Sequence, residues 1–538
     1  MTELDLLIRD GTIYDGTGAA PRRGDVAIAG DTIVTVGDAG DMRARVELDA
    51  GGLAVAPGFI NMLSWAGEAL LHDGRSQSDI RQGVTLEVLG EGWSMGPLNA
   101  ALKDEQRRQQ GDIRYDIEWT TLGQFLEHLE RRGVSPNVAS FVGATTVRIH
   151  ELGHANRPPT PAELQRMCGL VRQALEEGAL GVSSALAYAP GAFADTDELV
   201  ALAAVAARHG GLYISHIRNE ADGLLEALDE FLTIARRARI RAEIYHIKAC
   251  GRQNWPRLDE LLARIEAARA AGLPITADAY PYHASSSGLD ATMPPWVQEG
   301  GLQAWIERLK DPQVRARVKR EMTTPSTEWD NFYLSAGGPQ NIILVGFRTE
   351  ALKPLAGRTL AEVAAARGTP PEETIIDLVV EDGSNVAAAF VSMSEENVRK
   401  VIRTPWVSFC SDAQSVAAEG VFLKRSPHPR TYGAFARLLG RYVRDEGLIA
   451  LEEAIRRLTW LPASNLRIQR RGRLAPGFFA DIVVFDPATI QDRATFQQPH
   501  QYAVGVQHVF VNGVQVIRDG EHTGARPGRV VRGPGWRG

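Results

Sequence analysis

Eight short apolar, β-branched runs alternate with amphipathic helical stretches through the middle of the chain, and two β-rich ends flank them. Together these predict an α/β protein: a closed (β/α)8 TIM barrel with a small β-sandwich domain built from both chain ends. At 538 residues the chain is long for one structural unit, which agrees with two. The expected division is residues 1–55 plus 475–538 for the sandwich and 56–474 for the barrel.

The N-terminal segments "DLLIRDGTIYDG" and "GDVAIAGDTIVTVG" place Asp-Gly and Gly-Asp between apolar runs, the chemistry of tight hairpins. The C-terminal segments "FFADIVVFDP" and "AVGVQHVFVNGVQVIRDG" repeat that style. Neither end has enough strands to bury a core alone, so the two are expected to meet.

The middle supplies strands at "GFINMLS" (58–64), "VTLEVLG" (84–90), "NVASFVG" (137–143), "LGVSSAL" (180–186), "GLYISHI" (211–217), "AEIYHI" (242–247), "PITADAY" (274–280) and "WVSFCSDA" (406–413). Helical stretches such as "TPAELQRMCGLVRQALEEG" and "LDELLARIEAARAAG" intervene, apolar near a 3.6 period and closed by Gly. Parallel strands need such crossovers, which place the helices outside the sheet. An open doubly wound sheet is the alternative, but no Gly-rich phosphate fingerprint follows the first strand. The last two strands are too far apart for one helix, and roughly 288–345 is expected to form an inserted, lid-like segment over the barrel mouth.

Net charge is −7, so no basic field marks a nucleic-acid binder. Three scattered cysteines, Cys168, Cys250 and Cys410, are too few for a disulfide framework or a four-cysteine zinc site. No signal peptide or membrane span is read from the sequence, and the cytoplasm is the expected location.

Reactive groups of such barrels sit at the C-terminal ends of strands, where side chains converge. Strand 2 ends in Glu91, strand 5 in His216, strand 6 in His246 and strand 8 in Asp412. Two imidazoles and a carboxylate are a catalytic zinc set of three ligands, with the fourth position open for water. Asp412 is then the candidate base that takes the water's proton and returns it to the leaving group. Taken singly, a histidine in an apolar strand serves structure as readily as metal binding. Glu91 can cap the following helix and Asp412 can N-cap the next segment.

With these residues in place, the sequence resembles the amidohydrolase superfamily, and within it the N-acyl-D-amino-acid deacylases of D-aminoacylase type. The likeness spans nearly the whole chain, through "VAPGFIN", "GVTLEVLGEGWSMGPL", "SSALAYAPGAFADTDEL", "ADAYPYHASS", "SPHPRTYGAFARLLGRYVRD" and "GRLAPGFFADIVVFDP". The resemblance implies hydrolysis of an amide C–N bond in a small N-acyl compound, with one divalent metal, zinc first and Mn or Co as alternatives. It puts His216 and His246 on the family's histidine ligands, Asp412 on its catalytic aspartate, and Glu91 where a cysteine ligand usually stands. Lys248, Tyr282, Arg430 and Tyr188 fall on positions that hold substrate. The chain departs from the family at strand 1: Leu63 and Trp65 replace a pair of histidines, and Asn61 an aspartate just before them. A second metal site is therefore not expected. Two other functions stay open on the sequence: hydrolysis of a cyclic amide or lactone, and a metal-free binding protein.

Overall fold

The computed structural model describes residues 4–538. Eight parallel strands form the centre: β1 (Phe59–Ser64), β2 (Val84–Leu89), β3 (Asn137–Ser140, continued by Val142–Gly143), β4 (Gly181–Ala185), β5 (Leu212–His216), β6 (Ala242–Ile244), β7 (Ile275–Ala279) and β8 (Val407–Phe409). Each pairs with the next in sequence order through parallel ladders. Past the end of β8 the chain bonds back to β1, where Ser64 and Ala413 form a parallel bridge and the Asp412 N–H donates to the Leu63 carbonyl at 2.9 Å. The two arcs thus meet, the geometry expected from eight β/α repeats.

The helices between strands start where the sequence supplies caps. Thr160 and Glu163 form a reciprocal capping box on Pro161–Glu176, and Thr121 and Gln124 form one on Leu122–Arg132. Their apolar faces, with Phe125, Leu129, Val171, Leu228, Phe231, Leu261 and Ile265, are buried in one large cluster around the strands.

Both chain ends enter one nine-stranded sheet. Leu4–Ile13 pairs with Arg22–Ala29 on one side and with Ala44–Asp49 and Ala54–Pro57 on the other. The ends meet where Ala54–Pro57 lies antiparallel to Ile482–Phe485. Leu6, Ile8, Val26, Ile28, Ile482, Val484 and Phe510 bury one face of this β domain. The last residues leave it: Val138 of β3 accepts from Val531 at 2.8 Å and donates to Arg529 at 3.0 Å, so residues 527–538 run along the barrel.

The excursion between β7 and β8 is larger than the 288–345 expected from sequence. Ser285–Gly288, Ile342–Gly346 and Ala387–Phe390 form a three-stranded antiparallel sheet, and a separate apolar cluster runs from Leu289 to Phe390. The closing strand, "AAAF", is too short and too plain to have stood out in the sequence. No helix among the described residues is long and apolar enough to cross a membrane.

Candidate metal centre

Glu91 sits just beyond β2 in a Gly-Glu-Gly turn. Gly90 and Gly92 hold φ of +100° and +65°, conformations that favour glycine. A Cβ on Gly90 would fall 2.5 Å from the Phe141 carbonyl and one on Gly92 2.6 Å from Ala185. The turn therefore presses against β3 and β4 and aims Glu91 inward. His216 is the last residue of β5. His246 follows β6 with φ of +35°, its N–H held by Asp278 Oδ1 at 2.8 Å. Asp412 likewise has φ of +48°. Two site residues thus adopt left-handed backbone that L side chains rarely take, a feature concentrated at functional sites.

Glu91 Oε1 lies 3.0 Å from His216 Nδ1 and 3.0 Å from His246 Nε2. The imidazole planes are nearly perpendicular, 85° apart, and all three side chains are buried. One ligand atom from each lies within 4.8 Å of the others. Ligands of a tetrahedral zinc stand about 3.3 Å apart, given bonds of about 2.0–2.1 Å, so these residues fit a divalent ion. Burial pushes the Glu91 carboxyl up, but hydrogen bonds from both imidazoles outweigh it and hold the group well below the usual carboxylate range.

Behind the two imidazoles stands Glu220, which sequence reasoning missed. Its Oε1 is 3.2 Å from His246 Nδ1 and 2.7 Å from Lys248 Nζ, and its Oε2 is 3.5 Å from His216 Nε2. His246 thus turns one nitrogen to Glu91 and the other to Glu220, a second carboxylate of the kind that commonly fixes a ligand's tautomer; His216 Nε2 faces Glu220 Oε2 without a hydrogen bond. Burial raises Glu220; Lys248 and the two histidines lower it further, leaving it ionised well below its ordinary range. The only signal in the sequence was an acid four residues after a strand-end histidine.

The candidate substrate residues separate. Lys248 donates to Glu220 and to the His246 carbonyl at 3.0 Å, and its Nζ lies 2.6 Å from His246 Nδ1, so its ammonium is turned towards the carboxylate behind the histidines. Arg430 Nη1 pairs with Asp412 Oδ2 at 2.9 Å, while its buried Nε has no hydrogen-bond partner. Tyr188 stacks edge-on to His216 at 5.1 Å, and its hydroxyl accepts from Ser287 of the excursion at 3.1 Å. Tyr282 is a correction: it turns away from the mouth and packs against His428 and Arg437, its hydroxyl 3.5 Å from Asp492. Tyr280 takes the inward place, under Arg430 at 4.4 Å, with a buried hydroxyl that has no partner. Two tyrosines in "AYPYH" made the assignment ambiguous by two residues, the period of a strand.

These groups line one cavity of about 670 Å³, with Trp65, Trp93, Asp412 and excursion residues Ser285–Ser287, Asn385 and Phe332. Burial raises the Asp412 carboxyl and Arg430 partly offsets this, leaving it above its ordinary value.

A parallel barrel with a buried Glu–His–His cluster and an aspartate at its mouth is the layout of a metal-dependent hydrolase. The sequence profile described as "Amidohydrolase family" matches residues 46–517, and the chain belongs to that family. It is 32% identical to the D-aminoacylase of Alcaligenes xylosoxydans xylosoxydans across 98% of this chain and 97% of the relative. It is 33% identical to the N-acyl-D-glutamate deacylase of the same organism, with the same coverage. The crystal structure of D-aminoacylase superposes with a TM-score of 0.82 at 32% identity, covering 98% of this chain and all of that one. That of Bordetella bronchiseptica N-acyl-D-glutamate deacylase, complexed with zinc and a phosphonate mimic of the tetrahedral intermediate, gives 0.81 at 32% identity, over 98% of this chain and 100% of that one.

Proposed function

We propose that this protein is a metal-dependent amidohydrolase that cleaves the amide C–N bond of an N-acyl-D-amino acid or a related small N-acyl compound. The observation that carries the reading is Glu91 Oε1 set 3.0 Å from both histidine nitrogens, beside Asp412 in one cavity. Glu91, His216 and His246 hold one divalent ion, zinc first and Mn or Co as alternatives. Bound there, such an ion lowers the pKa of water towards ~7 and polarises a carbonyl oxygen.

Asp412 accepts the proton of the attacking water and passes it to the departing amine nitrogen; its raised carboxyl suits both halves of that transfer. The unpartnered Nε–H of Arg430 and the hydroxyl of Tyr280 meet the substrate's carboxylate, an anion that a guanidinium fits well. Tyr188 and the excursion wall exclude water.

The test is a panel of N-acyl-D- and N-acyl-L-amino acids, with cyclic amides and lactones alongside, run on wild type and Asp412→Asn. The expected result is release of free D-amino acid by wild type, and a variant that keeps its metal but loses at least ~10²-fold in kcat. Full turnover in the variant would remove Asp412 from the role.

A further inference from the structure

Strand β1 is joined to the end of β8 at three successive residues. The Asn61 side-chain oxygen accepts the Ser411 N–H at 2.9 Å, and its amide donates to Ser411 Oγ at 2.8 Å. The Leu63 carbonyl accepts the Asp412 N–H at 2.9 Å, and the Trp65 N–H donates to the Ala413 carbonyl at 2.9 Å. Trp65 adds a side-chain bond: its indole Nε1 donates to Asp412 Oδ1 at 3.2 Å.

Asn61 is itself fixed from below. Its amide nitrogen also lies 3.0 Å from Glu87 Oε2 and 3.3 Å from Asp79 Oδ2, both fully buried, so its two N–H groups are shared among three acceptors. An acid at position 61 would add a third carboxyl to that pair, whereas the amide supplies the donors they need.

We propose that Trp65 is a positioning residue for the Asp412 carboxylate, with β1 serving here to set the base rather than to hold a metal. The inference rests on the reading of Asp412 as the base. With Oδ1 tied to the indole and Oδ2 facing Arg430, the plane of the carboxylate is fixed. Each oxygen retains a lone pair for the proton in transit. Backbone contacts to β1 set where Asp412 stands; the indole N–H, together with Arg430 on the other oxygen, sets how its carboxylate is turned.

Trp65→Phe removes that N–H and keeps an aromatic ring. The expected result is a fall of about 10-fold in kcat with KM changed less than about 2-fold, the pattern of an interaction that matters in the transition state. Metal content and Tm should be unchanged, and Trp65→His, which keeps a ring N–H, should recover part of the loss. Wild-type kcat in Trp65→Phe, or a loss confined to KM, would overturn the proposal. If Asp412→Asn is inactive while Trp65→Phe is not impaired, the positioning role fails and the base assignment stands. If Asp412→Asn is active, the base assignment itself fails. A readout that needs no substrate is the 15N indole spectrum. The resonance absent in Trp65→Phe should move in Asp412→Ala while the others stay, and an unmoved resonance would also overturn the proposal.

Discussion

Glu220 Oε1 stands 3.2 Å from His246 Nδ1, on the side of the ring opposite Glu91. Its other oxygen is 3.5 Å from His216 Nε2, so a single carboxylate backs both imidazoles. Outer carboxylates of this kind set the tautomer and basicity of a ligating histidine, and their loss commonly weakens metal binding about 10–100-fold. Glu220→Gln should therefore raise the Kd for zinc by that factor, measured by competition with a chelator. Unaltered affinity would make Glu220 merely the partner of Lys248.

Tyr280 and Tyr282 offer a paired comparison. The Tyr280 hydroxyl is buried at the cavity wall without a partner, while Tyr282 bonds outward to Asp492. A buried hydroxyl left unmet costs free energy, so a substrate that meets it recovers a net ~0.5–1.5 kcal/mol or more. Tyr280→Phe should lower kcat/KM by roughly 2–13-fold on that basis, and Tyr282→Phe should leave it near wild type. The reverse order would restore Tyr282 to the site.

These two residues also mark how far the sequence is readable. Strand positions and the four strand-end residues Glu91, His216, His246 and Asp412 follow from period and from the rule that barrel chemistry collects at C-terminal strand ends. Lys248 illustrates the limit: it lines the cavity, but its ion pair with Glu220 is not legible in the sequence. Partnership of that kind depends on rotamers and on a loop that no periodicity describes. The excursion escaped for a related reason. Its strands are only four and five residues long and are brought together across a hundred positions, so local pattern carried little of their pairing.

Glu243 lies in β6 with no exposed surface, receiving hydrogen bonds from Thr276 Oγ1 at 2.6 Å and Asn465 Nδ2 at 3.1 Å. Burial, and then the nearby Asp278, push its carboxyl up from 4.5 to about 8. The folded state therefore holds a proton that the unfolded chain releases near 4.5. Its stabilisation is full below that pH and is lost as pH rises through about 8. Glu243→Gln mimics the neutral form, so its Tm relative to wild type should climb across that window. A difference that does not vary with pH would show that Glu243 is ionised throughout.

Glu91, His216 and His246 are proposed to form one metal centre. That proposal is tested most directly by the metal content of the purified protein, measured beside Glu91→Ala and His246→Ala. About one divalent ion per chain is expected in the wild type, as a three-ligand site implies, with its loss in both variants while the fold is kept. Two ions per chain, or one ion retained in both variants, would contradict it.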